Sequence, residues 1–293
     1  MKQRVMILGA GGQLGRELLS GVGPQIDCVP LTRQQLDIGD ATAVAACLAT
    51  HAPQCIINAG AYTAVDAAES HTAATYRANA EGPANLAAAC RDIGARLIHV
   101  STDFVFDGES SRPYTTDAPT APLGEYGRSK LAGELAVLQR LPDALVMRSG
   151  WVYSRFGANF VKTMLRLMAE RDELGVVADQ FGTPTWARGL AGALWAAAAR
   201  PQLHGIYHWS DEGQCSWYEF AMAICAQACE LGLLARPVKI NPIATSAYPT
   251  AAKRPAYSVL DKTASWRDLE LPAVPWRAQL RSMLIDMKGS QDE

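Results

Sequence analysis

A tyrosine and a lysine stand four residues apart in "EYGRSKLAGE", Tyr126 and Lys130, a separation that puts both on one side of a helix. Such a pair can protonate a carbonyl oxygen while the carbonyl carbon accepts hydride. The phenol is the acid, and a neighbouring ammonium is expected to lower its ordinary pKa of about 10. The lysine could also hold the ribose hydroxyls of a nicotinamide nucleotide. Taken alone, the spacing is common on solvated helix faces. Here it has company: a strand-like run ending Ser101-Thr102-Asp103 and the turn Asn58-Ala59-Gly60.

A second motif concerns phosphate. In "ILGAGGQLGRELL", Gly9, Gly12 and Gly15 follow a predicted strand and open a predicted helix. Residues without a Cβ let the chain reverse and bring backbone N–H groups close to a pyrophosphate at the positive helix end. Gln13 and Leu14 lie inside this motif and join the candidate cofactor set. The plainer reading is a tight turn, which the strand-turn-helix context argues against. After the second strand the chain reads Leu31-Thr32-Arg33, a cation where a carboxylate would meet the adenosine ribose 2′-hydroxyl. Arg33 therefore favours a 2′-phosphate and NADPH, with NADH second; the competing reading is a solvated surface arginine.

These residues need a scaffold that delivers them to one edge. Apolar runs at 4–8, 27–31, 54–60, 95–102 and 144–150 read as buried strands, separated by helical stretches such as "ATYRANAEGPANLAAACRDIG" and "YGRSKLAGELAVLQRL". Strands that do not alternate, interleaved with helices, predict an α/β fold with a doubly wound (Rossmann) parallel sheet, binding ligands beyond the strands' carboxyl ends. Residues 1–150 are expected to form the dinucleotide-binding domain, with 184–210 returning to it. The aromatic-rich segments 151–183 and 211–293 are expected to form a smaller C-terminal substrate-binding region, and the tail "GSQDE" to fray.

Composition removes several other classes. With 293 residues, 49% hydrophobic and 19% charged, the chain can bury a substantial core. A net charge of −2 with scattered basic residues argues against a nucleic-acid surface. The first apolar run, Val5-Met6-Ile7-Leu8, is too short for a signal peptide or membrane span, so a cytoplasmic protein is expected. Seven cysteines without a Cys-x-x-Cys suggest reduced thiols, and the histidines show no metal-ligand spacing; no catalytic metal is expected.

The constellation resembles the extended short-chain dehydrogenase/reductase superfamily. More narrowly, "STDFVFDG", "APLGEYGRSKLAGE", "RSGWVYS", "DQFGTPT" and "RPAYSVLD" are similar to the dTDP-4-dehydrorhamnose reductase branch, over nearly the whole chain. The resemblance implies NAD(P)H-dependent reduction of the C4 keto group of a dTDP-4-keto sugar, with a nucleotide sugar as the partner molecule. It implies Thr102 as the hydroxyl that polarises that carbonyl, Tyr126 as proton donor, and Lys130 as its tuner. Asp103 and Trp151 would contact substrate. Asp37 and Ile38, in "QLDIGD", would lie near the adenine, Ala61-Tyr62-Thr63 would flank the cofactor, and Asn79 would order the active-site helix. Some branch members dimerise around a magnesium ion held by glutamates. Glu17 matches one such position, but Arg188 stands where another acid is sought, so the metal is not carried over and a homodimer stays open.

The segment "DGESSRPYTTDAPTAPLG" is expected to form a polar loop over the substrate, restrained by Pro113, Pro119 and Pro122. Two rival functions remain at this level. One keeps the fold and changes the sugar, to another 4-keto-6-deoxy nucleotide-sugar reductase or an epimerase. The other is a non-catalytic NADP-binding regulatory subunit, which an intact Thr102, Tyr126 and Lys130 argues against.

Overall fold

The computed structural model describes residues 2–289. Six strands form one parallel sheet: β1 (Gln3–Leu8), β2 (Ile26–Leu31), β3 (Cys55–Asn58), β4 (Arg96–Thr102), β5 (Leu145–Ser149) and β6 (Gly205–His208). Their spatial order is β6-β5-β4-β3-β1-β2, and every neighbouring pair is parallel. The order reverses at β1, with β2 on one side and β3 on the other. Connections leaving these strands therefore diverge and open a crevice at their carboxyl ends.

The strands are apolar on both sides because helices cover both faces. Val5 and Ile7 point into a core with Leu14, Leu18, Leu190 and Leu194, whereas Met6 and Leu8 point into another with Val44, Leu48, Leu86 and Val137. The helices Gln13–Ser20 and Ala187–Ala198 cover the first face. The helices Ala41–His51, Gly82–Ile93 and Glu125–Arg140 cover the second. The fold is doubly wound and Rossmann-like.

A separate core gathers Tyr153, Val161, Leu174, Phe220, Ile240 and Leu284. It is built from the helices Phe160–Glu170, Trp217–Glu230 and Trp276–Gly289 and from a parallel pair, Glu173–Val177 with Lys239–Ile243. Ser216 and Glu219 form a reciprocal cap that starts the 217–230 helix. The short helix Thr263–Leu269 instead packs toward the sheet, where Leu269 enters the first core.

One predicted helix is interrupted. The stretch read as helical over 74–94 comprises a helix at Thr72–Tyr76, a π-helical turn at Arg77–Glu81 and a helix at Gly82–Ile93. The seven cysteines are free. Among the described residues no helix is long and apolar enough to cross a membrane. Of the tail expected to fray, Gly289 closes the last helix and 290–293 lie outside the described residues.

Candidate active site

At the carboxyl end of β1 the glycines are dictated by contact. Gly9 has φ +76°, and a Cβ there would lie 2.7 Å from the Gly60 nitrogen. A Cβ on Gly15 would lie 2.2 Å from the Gly9 carbonyl oxygen. Gly12 caps the 13–20 helix in an extended conformation with no side chain over the helix end. The first backbone N–H groups of that helix are thus left open to an anion. Gln13 Nε2 donates to the Val152 carbonyl at 3.3 Å, which ties the helix start to the chain beyond β5.

The ends of β2 and β3 form the next wall. Arg33 is exposed on the rim, and Asp37 nearby pairs with Arg77 at 2.7 Å. The Gly39 N–H, and after it the Arg77 guanidinium, hold the Asp37 carboxyl below its usual range. Ile38 is anchored by its carbonyl, which accepts from Asn85 Nδ2 at 3.0 Å. Tyr62 is clamped by Asn79, whose Oδ1 accepts from the Tyr62 N–H at 2.8 Å and whose Nδ2 donates to the Tyr62 carbonyl at 3.0 Å. The same Nδ2 reaches Ser129 Oγ at 3.0 Å, and Ser129 Oγ donates to the Tyr126 carbonyl at 2.8 Å. The π-helical turn that carries Asn79 lies directly against the 125–140 helix, where a Cβ on Gly133 would sit 2.0 Å from the Asn79 carbonyl oxygen.

Strand β4 ends at Thr102, beside Tyr126 and Lys130 of the 125–140 helix. The Thr102 hydroxyl donates to Asp103 Oδ1 at 3.1 Å and also moderates the proton affinity of the Tyr126 phenol. Burial raises the Asp103 carboxyl to about 6, opposed by hydroxyls of Ser258 and Thr102. Lys130, 2% exposed, donates from Nζ to the Val100 carbonyl at 2.6 Å; burial lowers it to about 8 against the pull of Glu134. The Tyr126 phenol is pushed up to about 12, chiefly by burial, with the Asp103 charge adding to it. This corrects the expectation that the ammonium would lower it. Lys130 is turned toward β4, and in the free protein desolvation of the phenolate prevails.

Trp151 has φ +50°, a left-handed backbone that a bulky side chain rarely adopts. Its ring stacks on Trp217 at 3.4 Å with planes 6° apart, and a Cβ on Gly182 would strike it at 2.5 Å. Arg254 grips Asp66 with two nitrogens, at 3.0 and 2.7 Å, joining the region after β3 to the C-terminal segment.

All of these elements border one cavity of about 700 Å³. Gly9, Gly12, Gln13, Leu14, Arg33, Asp37, Ile38, Ala61, Tyr62, Thr63, Thr102, Asp103, Tyr126, Lys130 and Trp151 line it. Gly15 does not; it lies behind the loop, where its small size permits the close approach to Gly9. Arg77, Trp217 and Arg254 also line the cavity, and no motif in the sequence marks them as site residues. Arg77 stood in "RANAEG", two residues before Asn79, but nothing in that run signals a π-helical turn. The 107–124 loop departs from expectation. None of its residues lines the cavity, because Tyr114 stacks on Phe106 at 4.2 Å and bonds to Val259 and Asp261, drawing the loop down beside Leu260.

Glu17 is 1% exposed, and its two oxygens are engaged by Ser154 Oγ at 2.6 Å and Arg188 Nε at 3.1 Å. Arg188 also reaches Asp286 at 2.7 Å. A guanidinium is already the counter-ion of this carboxylate, so the donor set does not fit a divalent metal.

Comparison with known proteins adds four findings. A family model described as the RmlD substrate binding domain matches residues 3–288. The chain is 43% identical over 284 residues to the dTDP-4-dehydrorhamnose reductase of Burkholderia thailandensis, covering 94% of this chain and 95% of that protein. It is 41% identical over 291 residues to a probable dTDP-4,6-dihydroxy-2-methyloxan-3-one 4-ketoreductase of Streptomyces antibioticus, covering 98% and 97%. Among solved structures, dTDP-4-dehydrorhamnose reductase from Bacillus anthracis in complex with NADP superposes with a TM-score of 0.92 at 38% identity, covering 98% of this chain and all of that one.

Proposed function

The chain belongs to the RmlD substrate-binding-domain family, whose relatives include dTDP-4-dehydrorhamnose reductases. On that premise we propose that it reduces the C4 keto group of dTDP-4-dehydro-L-rhamnose with NADPH to give dTDP-L-rhamnose. The observation that carries this reading is the single cavity running from the open helix end at Gly12 to Tyr126, Lys130 and Thr102. A dinucleotide anchored at the first would present its nicotinamide to the second. NADPH, when bound, supplies the hydride.

The protein's own groups would do the rest. Backbone N–H groups at the 13–20 helix start would take the pyrophosphate, and Arg33, with Arg77 across the rim, the 2′-phosphate. The Thr102 hydroxyl, turned from Asp103 to the substrate, and the Tyr126 phenol would both donate to the C4 oxygen and draw electron density from the carbon. A phenol held at about 12 keeps its proton at neutral pH, so Tyr126 is loaded as an acid before the reaction begins. As the carbon takes hydride, the oxygen takes that proton, and the phenolate left behind is offset by the Lys130 cation. The stacked Trp151 and Trp217 would wall one side of the sugar, excluding water. Cytoplasm, where the free thiols would stay reduced, is the compartment this reading implies.

The Streptomyces relative favours one alternative, a 4-ketoreductase acting on a differently substituted sugar. Incubation with NADPH and dTDP-4-dehydro-L-rhamnose should oxidise one NADPH per dTDP-L-rhamnose formed, identified by chromatography of the hydrolysed sugar. Turnover confined to another dTDP-4-keto sugar would shift the assignment to the alternative.

A further inference from the structure

Behind Lys130 lies a buried chain of polar groups that the reaction scheme above leaves unused. Asn58 ends β3, and His99 is its partner across the parallel ladder in β4. Both are 0% exposed. Asn58 Oδ1 accepts from the Gly60 N–H at 3.1 Å, and Asn58 Nδ2 lies 3.1 Å from His99 Nδ1. On the other side of the ring, His99 Nε2 lies 3.5 Å from Lys130 Nζ.

The donor inventory fixes the protons. A backbone N–H can only donate, so the atom facing Gly60 must be the amide oxygen, which turns the NH₂ of Asn58 toward the ring. His99 Nδ1 therefore accepts. A fully buried imidazole with a cation beside it is neutral, and its one proton is left for Nε2, pointing at Lys130. A lysine ammonium has no lone pair to receive it, whereas a neutral amine does, while still donating to the Val100 carbonyl.

From this geometry we infer that His99 is a positioning residue that acts through Lys130: held as the Nε2–H tautomer by Asn58 and Gly60, it offers a proton that only the neutral amine can accept, and so weakens that lysine's hold on its proton. The inference rests on the role given to Lys130 above. Other charges act nearby. Glu134, one turn along the same helix, favours the cation, but its carboxylate is tied to Arg148 at 2.7 Å; Asp103, at the end of β4, acts on Tyr126. His99 and burial thus work in the same direction, and Glu134 against them.

The tautomer is readable without substrate or turnover. ¹⁵N NMR of the cofactor-free protein labelled at histidine, with His99 assigned by its loss in His99→Gln, should show a protonated Nε2 and a bare Nδ1. A protonated Nδ1 or an imidazolium at neutral pH overturns the inference. The second readout is the alkaline limb of kcat/KM for the keto sugar at saturating NADPH. Activity needs cationic Lys130 and falls as pH rises through its pKa.

His99→Leu removes the donor and should move that limb up by about one pH unit, the displacement expected of one ordinary hydrogen bond. His99→Gln keeps an N–H in place and should leave the limb near wild type. The sign is diagnostic, since leucine makes the pocket more apolar and burial alone would move the limb down or leave it. A limb that stays or falls in His99→Leu overturns the inference, and the wild-type spectrum decides even where that variant does not fold. Failure of the reductase reading would show instead as absent turnover of the keto sugar, with the tautomer unaffected.

Discussion

In the proposed reaction Arg33 would carry the choice of cofactor, because a guanidinium just beyond β2 can pair with a 2′-phosphate and gains nothing from a bare hydroxyl. Arg33→Ala should weaken NADPH binding by about 1.5–3 kcal/mol, the range for a hydrogen bond to a charged group, and leave NADH unchanged. Fluorescence titration with both cofactors checks this, and equal weakening would remove the role. Asp103 makes a different prediction. Its native carboxyl holds a proton more tightly than in the unfolded chain, so the folded state is favoured while the group is protonated. That advantage is lost as pH rises from the ordinary aspartate value through about 6. Asp103→Asn should therefore gain stability relative to wild type across that window, read from urea unfolding at pH 4.5 and pH 7. Among the site residues, the glycines, Tyr126 and Lys130 were legible because each has a local spacing tied to a chemical need. His99 carries no local signal, since the part inferred for it depends on Asn58, 41 residues away in sequence and adjacent only in the sheet.

The elements explain which sequence signals survive folding. Strands β1, β3, β4 and β5 are readable as apolar runs because both of their faces are largely buried, whereas β2 at the sheet edge is only half-buried, and the interleaved helices force the parallel order. The pair 173–177 and 239–243 was not readable. Each strand has little to mark it until the other arrives, 66 residues along the chain. The π-helical turn at Arg77–Glu81 was hidden for a similar reason, since its cause is the seat it makes for Asn79 against Gly133. At this scale the glycines separate into two kinds. Gly15→Ala sets a Cβ against the Gly9 carbonyl at 2.2 Å, which only backbone movement relieves, so cofactor affinity should fall more than tenfold and thermal stability with it. Gly192, exposed in the 187–198 helix with nothing within 4 Å of an added Cβ, is the contrast. Gly192→Ala should stabilise the protein by about 0.5–1 kcal/mol through helix propensity, with unchanged kinetics. Thermal melts and NADPH titrations of the two variants provide the check.

Across the described residues, two hydrophobic cores share the sheet, a third stands beside it and a small fourth gathers Val105, Phe106, Tyr114 and Leu260, while the cavity collects residues from the ends of several strands together with Trp217 and Arg254 from the far half of the chain. The Asp66–Arg254 pair and the Glu17–Arg188–Asp286 network are ion pairs between distant segments that hold this arrangement in register. What the arrangement would achieve in the proposed reaction is convergence: an anion site at one end, and at the other a partly buried phenol that keeps its proton until a carbonyl oxygen needs it. The most direct test compares wild type with Tyr126→Phe in NADPH-dependent reduction of dTDP-4-dehydro-L-rhamnose, with NADPH affinity measured on both. Turnover should fall by about 10²–10⁴-fold, the usual worth of a general acid, while NADPH binds as before. A phenylalanine enzyme turning over near the wild-type rate would contradict the account.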